Sequence, residues 1–197
     1  MFRPPKFRPP FMSGFPTRFD AFEPRPLKPS DTLPKEKIDA LILKNAKKSN
    51  NIVHGSTALN KQLPEQLRRP TGDIDAWTSN PEQQMDKMED KLDEAAGCDM
   101  FYERVLPMDD VDGPTKNIYQ VVSYRTRQSV ADYSKKPKQK IRTRKIEGIS
   151  YEELQHIKQK FIKILRDPRT SFDRKRKTES DLRRILAYEK SLQQMKK

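Results

Sequence analysis

The chain has a single cysteine, Cys98, so an intramolecular disulfide and a zinc–thiolate site are both excluded, and a reducing compartment is expected. It has no apolar run approaching the ~18 residues that span a bilayer, and its start, Met1-Phe-Arg-Pro-Pro5, lacks the apolar core of a signal peptide. The expected location is the cytosol or nucleus, or a particle assembled there. Hydrophobic residues are also scarce, at 33% of 197, which limits the chain to one modest core with tails. Acidic residues are outnumbered: 41 lysines and arginines face 28 aspartates and glutamates, a net charge of +13. That balance favours a polyanionic partner, with nucleic acid first and a nucleotide or an acidic protein surface next.

Residues 1–34 hold nine of the sixteen prolines and six of the nine phenylalanines, and Phe2-Arg-Pro-Pro5 recurs as Phe7-Arg-Pro-Pro10. Proline removes donors and restricts the residue before it, so this segment is expected to be an extended basic arm. Its phenylalanines, with arginines between them, suit docking on a protein partner or assembly; stacking on single-stranded bases is the alternative.

The stretch from Asn51 to Trp77 carries the chemistry. Ile52, Val53 and His54 make a short β-prone run, broken by Gly55-Ser56 just before Thr57-Ala58-Leu59 opens a helix. Glycine lets backbone approach closely, and the first helical N–H groups point at an anion, so phosphate can dock there. Further on, Asp73 and Asp75 flank Ile74. On a strand both carboxylates then share one face, where they repel unless a hard divalent cation with a taste for oxygen ligands, Mg²⁺ or Mn²⁺, lies between them.

This pairing resembles the nucleotidyltransferase superfamily to which polymerase β belongs. It looks nearest the abortive-infection toxin branch, whose Gly-Gly-Thr-Ala-Leu and Arg-x-Ser/Thr-x-Asp-hydrophobic-Asp segments are matched by residues 55–59 and 69–75. The resemblance implies an α+β fold, a small mixed β-sheet flanked by helices, with a C-terminal helical part. Three units are expected: the arm at 1–34, an α/β core at 35–145 and the helical part at 146–197.

Residues 34–49 read as a helix with Ile38, Leu41 and Ile42 on one face. Asn80 as cap and Pro81 at the first helical position open another, ended by Gly97. Residues 100–106, 117–124 and 128–134 look β-like, the first two joined by an acidic turn at 109–113 and the last two by the basic turn 125–127. The family takes a third carboxylate from a later strand, and Asp132 is the match, with Glu103 the runner-up. Residues 135–145 then hold seven lysines and arginines, either a solvated connection or a cradle for polyanion phosphates. Lys135-Lys-Pro-Lys138 also suits nuclear import. Ser150-Tyr-Glu-Glu153 reads as a capping box opening a helix to about Arg166. Related proteins carry a lysine early in that helix, and Lys158 fits, with Lys160 directed elsewhere. The family's Lys-Asp-x-x-Asp is echoed at Lys177 to Asp181, with Thr178 in place of its first aspartate.

The resemblance thus implies nucleotidyl transfer. Asp73, Asp75 and Asp132 would hold two divalent ions, Gly55 and Ser56 the phosphates of a nucleoside triphosphate, and Lys158 would neutralise charge. The acceptor hydroxyl stays open among nucleic acid, nucleotide, small molecule and protein. The rival is a non-catalytic scaffold that keeps the fold and is anchored by its arm, such as an internal or minor capsid component of a large virion.

Overall fold

The computed structural model describes residues 33–108 and 116–195. The arm up to residue 32 and the acidic turn at 109–113 lie outside the described residues, and with them the arm-docking expectation on which the scaffold reading stands.

Among the described residues, five helices surround one seven-stranded mixed sheet, an α+β arrangement. Helix α1 (Lys35–Lys48) leads to β1 (Ile52–His54), α2 (Gly55–Gln62), a 3-10 turn (Glu65–Leu67) and β2 (Ile74–Thr78). Then come α3 (Pro81–Ala96), β3 (Phe101–Met108), β4 (Lys116–Ser123) and β5 (Ser129–Lys135). The chain closes with β6 (Thr143–Ile146), β7 (Ile149–Glu152), α4 (Leu154–Arg166) and α5 (Phe172–Gln194). The strand order is β3-β4-β5-β2-β1-β7-β6, with β2–β5 and β1–β7 parallel and the other pairs antiparallel.

Alternation along the central strands sorts the two faces of the sheet. Val53 pairs with Ala76 and Tyr151, and Ala76 with Tyr133; these side chains are buried with Ile38, Ile42 and Ala46 of α1 and Met85, Met88 and Leu92 of α3. The opposite face carries His54, Asp75 and Asp132, which are aligned in register across β1, β2 and β5. Among the described residues, no helix is long and apolar enough to cross a membrane.

Several boundaries fall where local chemistry dictates. Gly97, at φ +74°, ends α3 by donating its N–H to Asp93 and Glu94 carbonyls. Pro81 opens α3 as expected, but Asn80 makes no side-chain cap to the backbone; its amide reaches Gln83 instead, at 3.5 Å.

One reading is corrected. Residues 150–152 are not the start of a helix: Ile149 and Tyr151 are both buried, and this period of two makes β7 a strand, paired with β6 through a tight turn at Glu147 and Gly148, both at positive φ. Helix α4 therefore starts only at Leu154. The hairpin extends the sheet to its far edge, which the lysine-rich composition of 135–145 conceals.

Candidate active site

Three elements deliver the acidic cluster. Asp75 sits on β2 beside Asp132 on the parallel strand β5, and Asp73 lies just ahead of β2. One ligand oxygen from each of the three lies within 4.8 Å of the others. Glu103 is not part of this group. The Thr57 hydroxyl donates to the Asp73 carbonyl at 3.2 Å, tying the start of α2 to the approach to β2.

Gly55 closes one side of the cluster. Its φ of +67° is a left-handed conformation, and a Cβ there would fall 2.4 Å from Asp75 Oδ2. The carboxylate thus packs directly against backbone at the strand-to-helix turn. Burial pushes the Asp75 carboxyl up to about 7, and the charges of Asp73 and Asp132 add to that, while Lys160 and Lys177 oppose it. Asp132 is also raised by burial, but hydrogen bonds work against the shift. The Gln120 amide donates to both Asp132 oxygens, at 3.0 and 2.9 Å, and the Ser129 hydroxyl donates to Oδ1. Gln120 is in turn held by Arg104 Nε at 2.8 Å, a chain that runs straight across β3, β4 and β5.

Next to Asp75 in register, the His54 ring stacks on Trp77 with centroids 4.1 Å apart, and its Nε2 is buried without a partner among the described residues. Burial, and then the charges of Lys160 and Arg174, hold the imidazole neutral. Lys160 lies 4.9 Å from the Trp77 ring centroid and forms an ion pair of 2.8 Å with the fully buried Glu152, which also bonds His156.

The other flank is basic. Arg69 donates through Nη2 to the Ser56 hydroxyl at 3.0 Å, and through Nε and Nη2 to Asp181 at 2.8 and 3.0 Å. Arg184 shares Asp181 and reaches Asn60 and the Leu67 carbonyl, so α5 is clamped to the Gly-Ser turn. Beside this clamp a polar cavity of about 380 Å³ is lined by Arg69, Asp173, Arg176, Lys177 and Ser180.

The sequence reading named Gly55, Ser56, Asp73, Asp75 and Asp132, and the fold gathers them where β1, β2 and β5 lie side by side at the Gly-Ser turn. The two differ at the lysine. Lys158 faces α5 and is paired with Glu189 at 2.6 Å, whereas Lys160, expected to point away, puts its charge near Asp75 and His54. Thr178 offers nothing to a ligand, because its buried hydroxyl donates to the Arg174 carbonyl within the helix, at 2.7 Å. Sequence reasoning missed Gln120, the role of Lys160 and the contact between Arg69 and Asp181. Arg69 had left a signal as the arginine of the matched segment, and Asp181 as the last residue of the Lys177–Asp181 echo, but nothing joined the two.

Searches against known structures find a Megavirus polyadenylate synthase, at 17% identity and a TM-score of 0.60, over 81% of this chain. The chain has the nucleotidyltransferase-like fold. It spans only 33% of that synthase and 62% of a second match, JHP933 from Helicobacter pylori, which aligns over 75% of this chain with 18% identity and a TM-score of 0.47. The similarity to the synthase shows the fold and does not extend to the abortive-infection toxin branch. No protein-family model matches the sequence, nor does any curated protein.

Proposed function

We propose that the protein transfers a nucleoside monophosphate from a nucleoside triphosphate to a hydroxyl acceptor. The observation that carries this reading is the convergence of Asp73, Asp75 and Asp132 beside the Gly55–Ser56 turn on the face of the sheet opposite α1 and α3.

The residues fit a divalent metal. Three carboxylates crowd together, and the most buried of them is pushed up to about 7 partly by the other two, so a cation that takes oxygen ligands relieves a repulsion the protein otherwise carries. Asp73, Asp75 and Asp132 would hold Mg²⁺ or Mn²⁺, which when bound would make the acceptor hydroxyl more acidic and neutralise charge on the phosphates.

The acceptor oxygen forms a bond to the α-phosphorus, the bond to the β-phosphate oxygen breaks, and pyrophosphate leaves. Asp132, made more basic by burial and fixed by Gln120 and Ser129, takes the hydroxyl proton. Gly55 and Ser56 bind the phosphates at the start of α2, and Arg69, Arg176 and Lys177 line the cavity on that side. The neutralising role expected of Lys158 is better supported for Lys160 and Lys177, whose charges act on Asp75.

The test is to incubate the protein with Mg²⁺ or Mn²⁺, labelled nucleoside triphosphates and a panel of oligonucleotide, tRNA and protein acceptors. Label should transfer, and Asp73→Asn, which keeps the side-chain volume, should abolish it without unfolding the protein. Transfer that survives Asp73→Asn, or no transfer to any acceptor, overturns the reading.

A further inference from the structure

The connection from β5 to β6 is short for the distance it covers. Three strands, β2, β1 and β7, separate its ends, so residues 136–142 must cross four inter-strand spacings, about 19 Å. The ends also differ in height. Lys135 is level with Thr78, one residue beyond the row Ser134–Trp77–Ile52–Ser150–Lys145; Thr143 lies opposite Glu152, on the other side of that row. This offset of three residues adds roughly 10 Å along the strands, for a diagonal of about 22 Å.

From Lys135 to Thr143 the chain reaches at most about 29 Å, whereas a path past the end of the sheet and around its edge needs about 34 Å. The segment therefore crosses a face of the sheet. Helix α1 packs against β5, β2 and β7 on the Val53–Ala76 face, which leaves the segment on the face that carries Asp75 and Asp132.

That crossing segment is basic and uncompensated. Lys135, Lys136, Lys138, Lys140, Arg142, Arg144 and Lys145 are exposed, and none of them has an ion-pair partner among the described residues. The part-buried cations Arg69, Arg184, Lys158 and Lys160, by contrast, are each paired with a carboxylate. The belt runs from β5, which bears Asp132, to the level of Asp75, and contains no acidic residue between 135 and 145. Cations in single file on a path one chain wide match one backbone of phosphates rather than the two of a duplex.

We infer that this belt is the track of a single-stranded nucleic acid, whose terminal hydroxyl it presents to Asp73, Asp75 and Asp132. The presentation of that hydroxyl rests on the nucleotidyl-transfer reading; the binding does not.

The experiment measures anisotropy of a fluorescent single-stranded oligonucleotide with the full chain across a salt series. Replacing Lys136, Lys138, Lys140 and Arg142 together by glutamine should weaken binding at low salt by at least about tenfold and reduce the log–log salt slope by about 3, since each single-strand phosphate contact contributes roughly 0.7. Because these side chains are exposed, the melting temperature should not change. A control variant with the same loss of charge on the opposite face, Lys37, Lys44, Lys48 and Lys87 to glutamine, should bind as the wild type does.

Equal losses in the two variants, wild-type affinity in the belt variant, or equally tight binding of polyglutamate would each overturn the inference. Loss of binding confined to the belt variant, in a protein that transfers no nucleotide, upholds the track and sinks the nucleotidyl-transfer reading instead.

Discussion

Gly55 and Asp75 are packed so closely that a β-carbon on the glycine would lie 2.4 Å from the aspartate Oδ2. Gly55→Ala therefore carries two penalties, a left-handed conformation for an L-residue and displacement of a carboxylate that cannot retreat without disturbing β2. The expected result is a loss of about 1–3 kcal/mol in stability. A carboxylate moved by as little as about 1 Å should lower the transfer rate by about a hundredfold. Thermal melts and single-turnover assays check the two effects separately.

Asp75→Asn should stabilise the metal-free protein above neutral pH while abolishing activity. The folded carboxyl is raised to about 7, above its unfolded value of about 4, so ionisation is disfavoured in the folded state. The wild type accordingly loses stability as pH rises from about 4 to 7, by at most about 4 kcal/mol, and an uncharged amide does not. Denaturant titrations in chelator at several pH values measure the difference. Parallel curves for the two proteins would contradict this account, and added Mg²⁺ should restore only the wild type.

Gln120→Leu tests the support of Asp132. It removes a donor to both carboxylate oxygens and leaves Arg104 without its acceptor. Those hydrogen bonds lower the Asp132 carboxyl, so their loss raises it further and moves the acidic limb of the pH–rate profile upward. A fall in kcat of about tenfold or more is expected with KM for the triphosphate unchanged. An unmoved acidic limb would reduce Gln120 to packing.

Asp181→Asn addresses the clamp between α5 and the Gly-Ser turn. The carboxylate is 3% exposed and receives Arg69 and Arg184 together, so removing its charge leaves two guanidiniums facing each other. Chemical denaturation should register a loss no larger than that of a broken buried pair, about 3–5 kcal/mol, since solvent screens the part-exposed Arg69. KM for the triphosphate should rise more than kcat falls, because the Arg69 contact to Ser56 depends on the same geometry.

The cluster was legible because its signals are local. Asp73 and Asp75 share a face through the period of a strand, and Gly55 marks a turn. Asp132, carried over from the family's third carboxylate, also fell on the strand its own β-like run predicted. The buried Glu152 was not legible. Ser150, Glu152 and Glu153 have the composition of a helix cap, and only the burial of Ile149 and Tyr151 makes the segment a strand. With Glu152 misplaced, nothing indicated that Lys160, on the same face of α4 as His156, would turn toward Trp77 while Lys158 turned to α5. Likewise Arg69 and Asp181 stand 112 residues apart, a separation at which composition and periodicity say nothing about contact.

That same separation orders events during synthesis. The three acidic residues and the Gly-Ser turn all emerge from the ribosome before any of α5 does, and β1 waits for β7 as its parallel neighbour. A nascent chain halted after β5 would contain every carboxylate of the cluster but neither Asp181 to orient Arg69 nor Lys177 beside Asp75. On the proposed reading, a chain truncated before α5 should therefore transfer no label, because Arg69 loses Asp181 and the cluster loses Lys177.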